Sequence, residues 1–147
     1  MNKISSFSGE YRWLSNFWLV KVSPLDDRIV YPSVEHAYQA AKTDNLSDRV
    51  IISNLSTPGK AKRFGRTLTI RKDWDNIKED VMLISLRCKF VFGSELAFQL
   101  IQTKDAYLEE GNSWGDVFWG ICNGIGENRL GKLLMQVRTE LNTFTLL

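Results

Sequence analysis

Residues 32–43 place the strongest local constraint on this chain. Pro32 and Ser33 open a helix. Ser33 is a good N-cap, and Glu35 falls in the first turn, where a negative charge suits the helix dipole. Val34, Ala37, Tyr38 and Ala41 then recur at i, i+3, i+4 and i+7, so one face of a helix reaching about Thr43 is apolar and seeks burial. The segment before it reads differently. Residues 11–31 are rich in aromatic and β-branched types, among them Tyr11, Trp13, Phe17, Trp18, Val20, Val22, Ile29 and Val30. Asp26-Asp27 separates two such runs, which predicts strands around 18–22 and 28–31 joined by a turn.

Downstream the pattern is helical. A second helix is expected across 46–55. Thr57-Pro58 is an N-cap followed by an N1 proline, so a short helix covers about 58–64 and stops at Gly65. Asp73 caps a long helix, roughly 74–90, with Trp74, Ile77, Val81, Ile84 and Cys88 on one side. Another helix runs from Ser94 to about Thr103, and 106–109 is a candidate strand. Residues 111–128 have no periodicity but hold five of the ten glycines. A last helix from about Arg129 to Leu141 carries the core stripe Leu130, Leu133, Leu134, Val137 and Leu141. No repeat, low-complexity segment or linker interrupts the 147 residues. The expectation is one domain over 1–147, a compact, mostly helical α+β fold with short strands.

Composition narrows the function classes. With 44% hydrophobic and 12% aromatic residues the chain can build a core. The formal charge of +2 is too small for general polyanion binding. There is no apolar run long enough to span a membrane and no signal-peptide pattern. Cys88 and Cys122 lack metal-type spacing and are expected as free thiols in a reducing, cytoplasmic setting. One histidine, His36, excludes a His-rich metal site, and no nucleophile-elbow sequence accompanies it.

Four clusters could carry chemistry. Glu35, Gln39 and Lys42 lie within a narrow arc bordering the apolar stripe of their helix, which makes them candidates for perturbed ionisation. The alternative is a plain solvated helix face. Gly111 to Gly120 contains Trp114, Asp116, Trp119 and Gly120. It reads either as a ring-stacking loop with an acid at its centre or as a structural loop whose tryptophans fill the core. Lys60, Lys62, Arg63, Arg66, Arg71 and Lys72 form a basic run, either a phosphate site including Arg63 and Arg66 or a solvated basic face. His36 is either a hydrogen-bonded structural histidine or a catalyst. The run Gly124-Ile125-Gly126-Glu127-Asn128 lacks the spacing of a dinucleotide or P-loop motif.

These clusters occur in a definite order. Leu14-Ser15-Asn16-Phe17 precedes Tyr31-Pro32-Ser33-Val34-Glu35-His36-Ala37-Tyr38-Gln39-Ala40-Ala41-Lys42, and Arg63-Phe64-Gly65-Arg66 follows. Then come Trp74 with Lys78 and Val81-Met82, Leu86-Arg87-Cys88-Lys89-Phe90, Asp116-Val117-Phe118-Trp119-Gly120, and Asn128-Arg129-Leu130-Gly131-Lys132-Leu133-Leu134-Met135 with Arg138. In this the chain resembles the YbiA-like family, also called NADAR, over about residues 7–141. The resemblance implies a compact, mostly helical α+β domain and N-glycosidase activity. One family branch acts on ribosylaminopyrimidine phosphates of riboflavin synthesis, and another removes ADP-ribose from guanine. It implies no metal and no organic cofactor. It moves Glu35 and Lys42, with Asp116, to the catalytic set. Asn16, Phe17, His36, Gln39, Arg63, Arg66, Trp114, Trp119, Gly120 and Asn128 become the substrate-binding set. Two positions depart from the family pattern. Ser33 stands where many relatives have threonine, and Ala37 where an aromatic is common, which would reshape the pocket.

For C1′–N cleavage two routes follow. Glu35 and Asp116 can stabilise charge on the sugar and activate water. Alternatively Lys42 attacks C1′ covalently while Glu35 shuttles protons. The expected partner is a nucleotide-like small molecule or an ADP-ribosylated base, free or within nucleic acid, with no obligate protein partner. Two other readings stand beside the enzyme. One is a module that binds ADP-ribose without cleaving it, and the other is a nucleic-acid binder using residues 60–72.

Overall fold

The computed structural model describes residues 2–146. In chain order the elements are β1 (Lys3–Ile4), a 3-10 segment (Gly9–Leu14), β2 (Leu19–Val22), β3 (Tyr31–Ser33), α1 (Val34–Ala41), α2 (Leu46–Ser53), α3 (Pro58–Gly65), α4 (Trp74–Lys89), α5 (Glu95–Gln102), β4 (Tyr107–Leu108), β5 (Gly111–Asn112), β6 (Ile121–Cys122) and α6 (Arg129–Leu146). The fold is α+β and mainly helical. The strands pair only two at a time: β1 with β4, β2 with β3, and β5 with β6. No helix among the described residues is long and apolar enough to cross a membrane. Contacts gather into two units, Asn16–Lys89 and the combined segments Met1–Ser15 and Phe90–Leu147.

In the Asn16–Lys89 unit, α1 is the central element. All eight of its residues are buried, and α2, α3, α4 and the β2–β3 pair pack around it. The starting points of the helices follow the capping residues. Ser33 Oγ accepts from His36 N, Asn45 Oδ1 from Asp48 N, and Thr57 Oγ1 from Lys60 N ahead of Pro58. The second strand starts later than expected, at Tyr31 rather than 28. Asp27 Oδ1 accepts from Ile29 N at 2.9 Å, and Arg28 takes a positive φ of 62°. This Asx turn consumes residues 28–30 before pairing can begin. Asp73 makes a second contact beside its place ahead of α4. It stands directly before α4 with its carbonyl accepting from Asn76 N at 2.9 Å, and its carboxylate is held by Arg71, with Nε 2.6 Å away.

The buried face of α4 differs from the expected one. The expected stripe is Trp74, Ile77, Val81, Ile84 and Cys88; Trp74 is buried, but Ile84 is exposed, and the other buried residues are Met82, Ser85, Leu86 and Lys89. The observed row is displaced by about one residue, a rotation of about 100°. Its polar members, Ser85 and Lys89, hide it from a reading based on hydrophobic spacing. A lysine can bury its aliphatic stem within such a face.

In the other unit, β1 and β4 pair in parallel, with Lys3 opposite Tyr107 and Ile4 opposite Leu108. Helix α6 packs on α5 and β4 through Leu130, Leu134, Val137 and Leu141. The buried Arg138 donates through NH1 to Thr103 Oγ1 and the Ala106 carbonyl, both at 2.9 Å. The 3-10 segment and the β5–β6 pair carry no periodic signal, and sequence reading missed both.

Candidate active site

Helix α1 supplies the centre of the site. Glu35 is 8% exposed and Gln39 4%, and Lys42 is half-buried, so the row is not a solvated face. Gln39 Nε2 donates to Glu35 Oε2 at 2.6 Å, and Glu35 N donates to the Asn16 carbonyl at 3.1 Å. Lys42 closes the helix. Its carbonyl accepts from Arg71 N at 2.8 Å, and its Nζ sits 5.3 Å from the centre of the Tyr38 ring. That ring packs against Trp74 with centroids 5.1 Å apart. Burial depresses the Lys42 pKa. The Glu35 carboxylate opposes that shift, and the cations Lys62, Arg66 and Lys78 add to it. The unit therefore holds an amine more readily deprotonated than an ordinary lysine, in the field of a buried carboxylate.

Asn16 and Phe17 belong to the same unit. Asn16 Nδ2 donates to Met82 Sδ at 3.5 Å, and its buried Oδ1 has no hydrogen-bond partner. Phe17 is exposed. Arg63 and Arg66 are both exposed on or beside α3, and Arg66 contributes to the field at Lys42. His36 is fully buried, and protein groups engage both its ring nitrogens. Nε2 lies 3.0 Å from the Leu55 carbonyl, which can only accept, so Nε2 carries the proton. Nδ1 then accepts from Ser33 Oγ at 2.7 Å. Burial lowers the His36 pKa, consistent with a neutral ring. This places His36 as a strut under the α1 cap, with no ring nitrogen left for a ligand.

The remaining expected residues lie in the other unit. Asp116 Oδ1 accepts from Phe118 N at 3.1 Å and Trp119 N at 2.9 Å. Asn112 Oδ1 accepts from Asp116 N, and its Nδ2 donates to the Asp116 carbonyl. The carboxylate thus shapes the loop. Trp114 is 64% exposed, while Trp119 packs edge-on to Phe118 at 4.8 Å. Gly120 is buried, and a Cβ there would overlap the Glu110 carbonyl and Asn112 Nδ2. Asn128 is buried with its amide fully used. Oδ1 accepts from Glu110 N, and Nδ2 donates to the Leu108 carbonyl, each at 2.9 Å.

Sequence reasoning missed several residues at Lys42. Tyr38 is buried as its core stripe predicts, and its ring also lies beneath the amine. Lys62 and Lys78 were seen in the sequence but not placed at the site. Lys78 sits four residues after Trp74, and that spacing is the one signal that could have found it.

Comparison with known proteins follows the same span. A model of the NADAR domain matches residues 5–142. N-glycosidase YbiA of Shigella sonnei (strain Ss046) is 40% identical over 141 residues, covering 92% of this chain and 85% of that protein. The chloroplastic riboflavin biosynthesis protein PYRR of Zea mays is 38% identical over 128 residues, covering 78% of this chain and 20% of that protein. The NMR structure of Escherichia coli YbiA superposes with a TM-score of 0.84 at 37% identity, over 98% of this chain and 86% of that one.

Proposed function

The chain belongs to the NADAR domain family and is an N-glycosyl hydrolase, and from this premise we propose that Lys42 is its covalent nucleophile and Glu35 its proton shuttle. The proposed substrate is a phosphorylated ribosylamine of the ribosylaminopyrimidine class. The observation that carries the mechanism is the Lys42 amine, its pKa depressed mainly by burial, in the field of Glu35 and above the Tyr38 ring. A relative named as a riboflavin biosynthesis protein supports the pyrimidine choice. The cations Lys62, Arg66 and Lys78 around the amine suit a phosphate.

The steps follow from these groups. The lone pair of the glycosyl nitrogen forms C1′=N as the C1′–O4′ bond breaks, and Glu35, entering the cycle as the carboxylic acid, passes its proton to O4′ and becomes the carboxylate. Neutral Lys42 Nζ adds to C1′. A proton then moves from Nζ to the departing nitrogen, the C1′–N bond breaks, and the free amine leaves a C1′–lysine iminium. Water adds to C1′ and gives up a proton through Glu35. The hydroxyl proton at C1′ then passes to Nζ as C1′=O forms and the C1′–Nζ bond breaks, which returns the neutral lysine and a sugar aldehyde. Asn16 Oδ1 accepts from a sugar hydroxyl. Asp116 keeps the loop of the other unit in shape.

Removal of ADP-ribose from guanine would use the same C1′ chemistry. A paired assay separates the two substrates by offering a ribosylaminopyrimidine phosphate and ADP-ribosyl-guanosine and following the released base by chromatography. The pyrimidine substrate is expected to turn over faster; release from ADP-ribosyl-guanosine alone would overturn the substrate assignment. Borohydride added during turnover should trap sugar on the wild type but not on Lys42→Met, which should lose turnover while remaining folded. Wild-type-like rates in Lys42→Met would sink the covalent route.

A further inference from the structure

We propose that Gln39 is a positioning residue that holds the Glu35 carboxylate, and that Gly65 at the end of α3 keeps Gln39 in place; this rests on Glu35 being the proton shuttle. The sequence suggests a substrate contact for Gln39, but the structure turns its donor end inward. Nε2 lies 2.6 Å from Glu35 Oε2. A carboxylate only accepts, so the amino end must face it and the carbonyl end must face away. On that far side lies Gly65, where any Cβ would overlap Gln39 Oε1 and Cδ. Helix α3 can close on α1 because residue 65 has no side chain.

The arrangement is costly in one respect. Gln39 Oε1 is buried and has no hydrogen-bond partner among the described residues, which is destabilising. An unbranched apolar side chain such as methionine would fill the same space without that cost. What it could not supply is a fixed N–H on the carboxylate. Gln39 holds Oε2, and the Asn16 carbonyl holds the backbone N of Glu35, so the residue is fixed at its main chain and at one carboxyl oxygen.

The test compares Gln39→Met, Gly65→Ala, Glu35→Gln and the Glu35→Gln/Gln39→Met double variant in the full chain. Gln39→Met should lower kcat about 10- to 100-fold with KM little changed, the scale expected when a catalytic group loses its orientation. The acid limb of its pH profile should move upward, because a donor to the ionised carboxylate is gone. Its thermal stability should match or exceed the wild type. Gly65→Ala should reproduce the kinetic loss by displacing the amide; if it does not fold, Gln39→Met decides. Adding Gln39→Met to Glu35→Gln should cost nothing further. Wild-type kcat and pH profile in Gln39→Met, with Glu35→Gln inactive, would overturn this inference and leave the proposed function standing. Full activity in Glu35→Gln would overturn both.

Discussion

At the scale of single residues, two lysines show how burial changes the chemistry of the same side chain. Lys42 is partly buried beside Glu35 and three cations, and its depressed pKa suits a nucleophile. Lys89 is buried on α4, and burial pushes its pKa down to about 7. The second shift makes a stability prediction. The folded pKa lies below the ordinary lysine value, so between about pH 7 and the unfolded pKa the unfolded chain binds more protons. The Lys89 contribution is therefore fully present above the unfolded pKa and is lost as pH falls toward 7. Chemical denaturation from pH 7 to 10 should show stability rising more steeply in the wild type than in Lys89→Met. The difference in slope should be at most about 1.4 kcal/mol per pH unit. Equal slopes would mean that Lys89 stays protonated in the fold.

At the scale of elements, α1 depends on what sits at its first turn. Ser33 Oγ serves both His36 N, at 3.1 Å, and His36 Nδ1, at 2.7 Å, and both residues are fully buried. Ser33→Ala removes a cap and orphans a buried ring nitrogen, a loss of about 2–4 kcal/mol from the two effects together. Ser33→Thr should restore most of it, which urea titration of the three proteins would establish. Asn128 plays a comparable part between β4 and α6. Asn128→Ala leaves Glu110 N and the Leu108 carbonyl without their amide partner. It should lower the melting temperature by several degrees and leave KM close to the wild type. A large KM rise with unchanged stability would restore Asn128 to the substrate contacts.

At the scale of the whole molecule, the net charge of +2 bears on the nucleic-acid reading. Many phosphate contacts would make affinity fall steeply with salt. A site centred on Lys42 with a few cations predicts a shallow dependence for a phosphorylated ribosylamine. KM measured from 50 to 200 mM salt should change by less than about tenfold, whereas a loss near the thousandfold seen for extended phosphate contacts would favour a polynucleotide substrate.

Helix positions, caps and the placing of Glu35, Gln39 and Lys42 on one helical arc were legible in the sequence, because capping chemistry and helical periodicity act over three or four residues and leave a local record. Ser33, Thr57-Pro58 and the row Glu35, Gln39, Lys42 are of this kind. Whether that row met water or protein was not legible, since burial of α1 is decided by α2, α3 and α4 packing around it. The face of α4 was misread for a related reason: two of its buried residues are polar, and hydrophobic spacing cannot see them. The Gln39–Gly65 contact joins residues 26 positions apart, so only the tertiary structure could bring the amide onto a glycine and fix the carboxylate beside it.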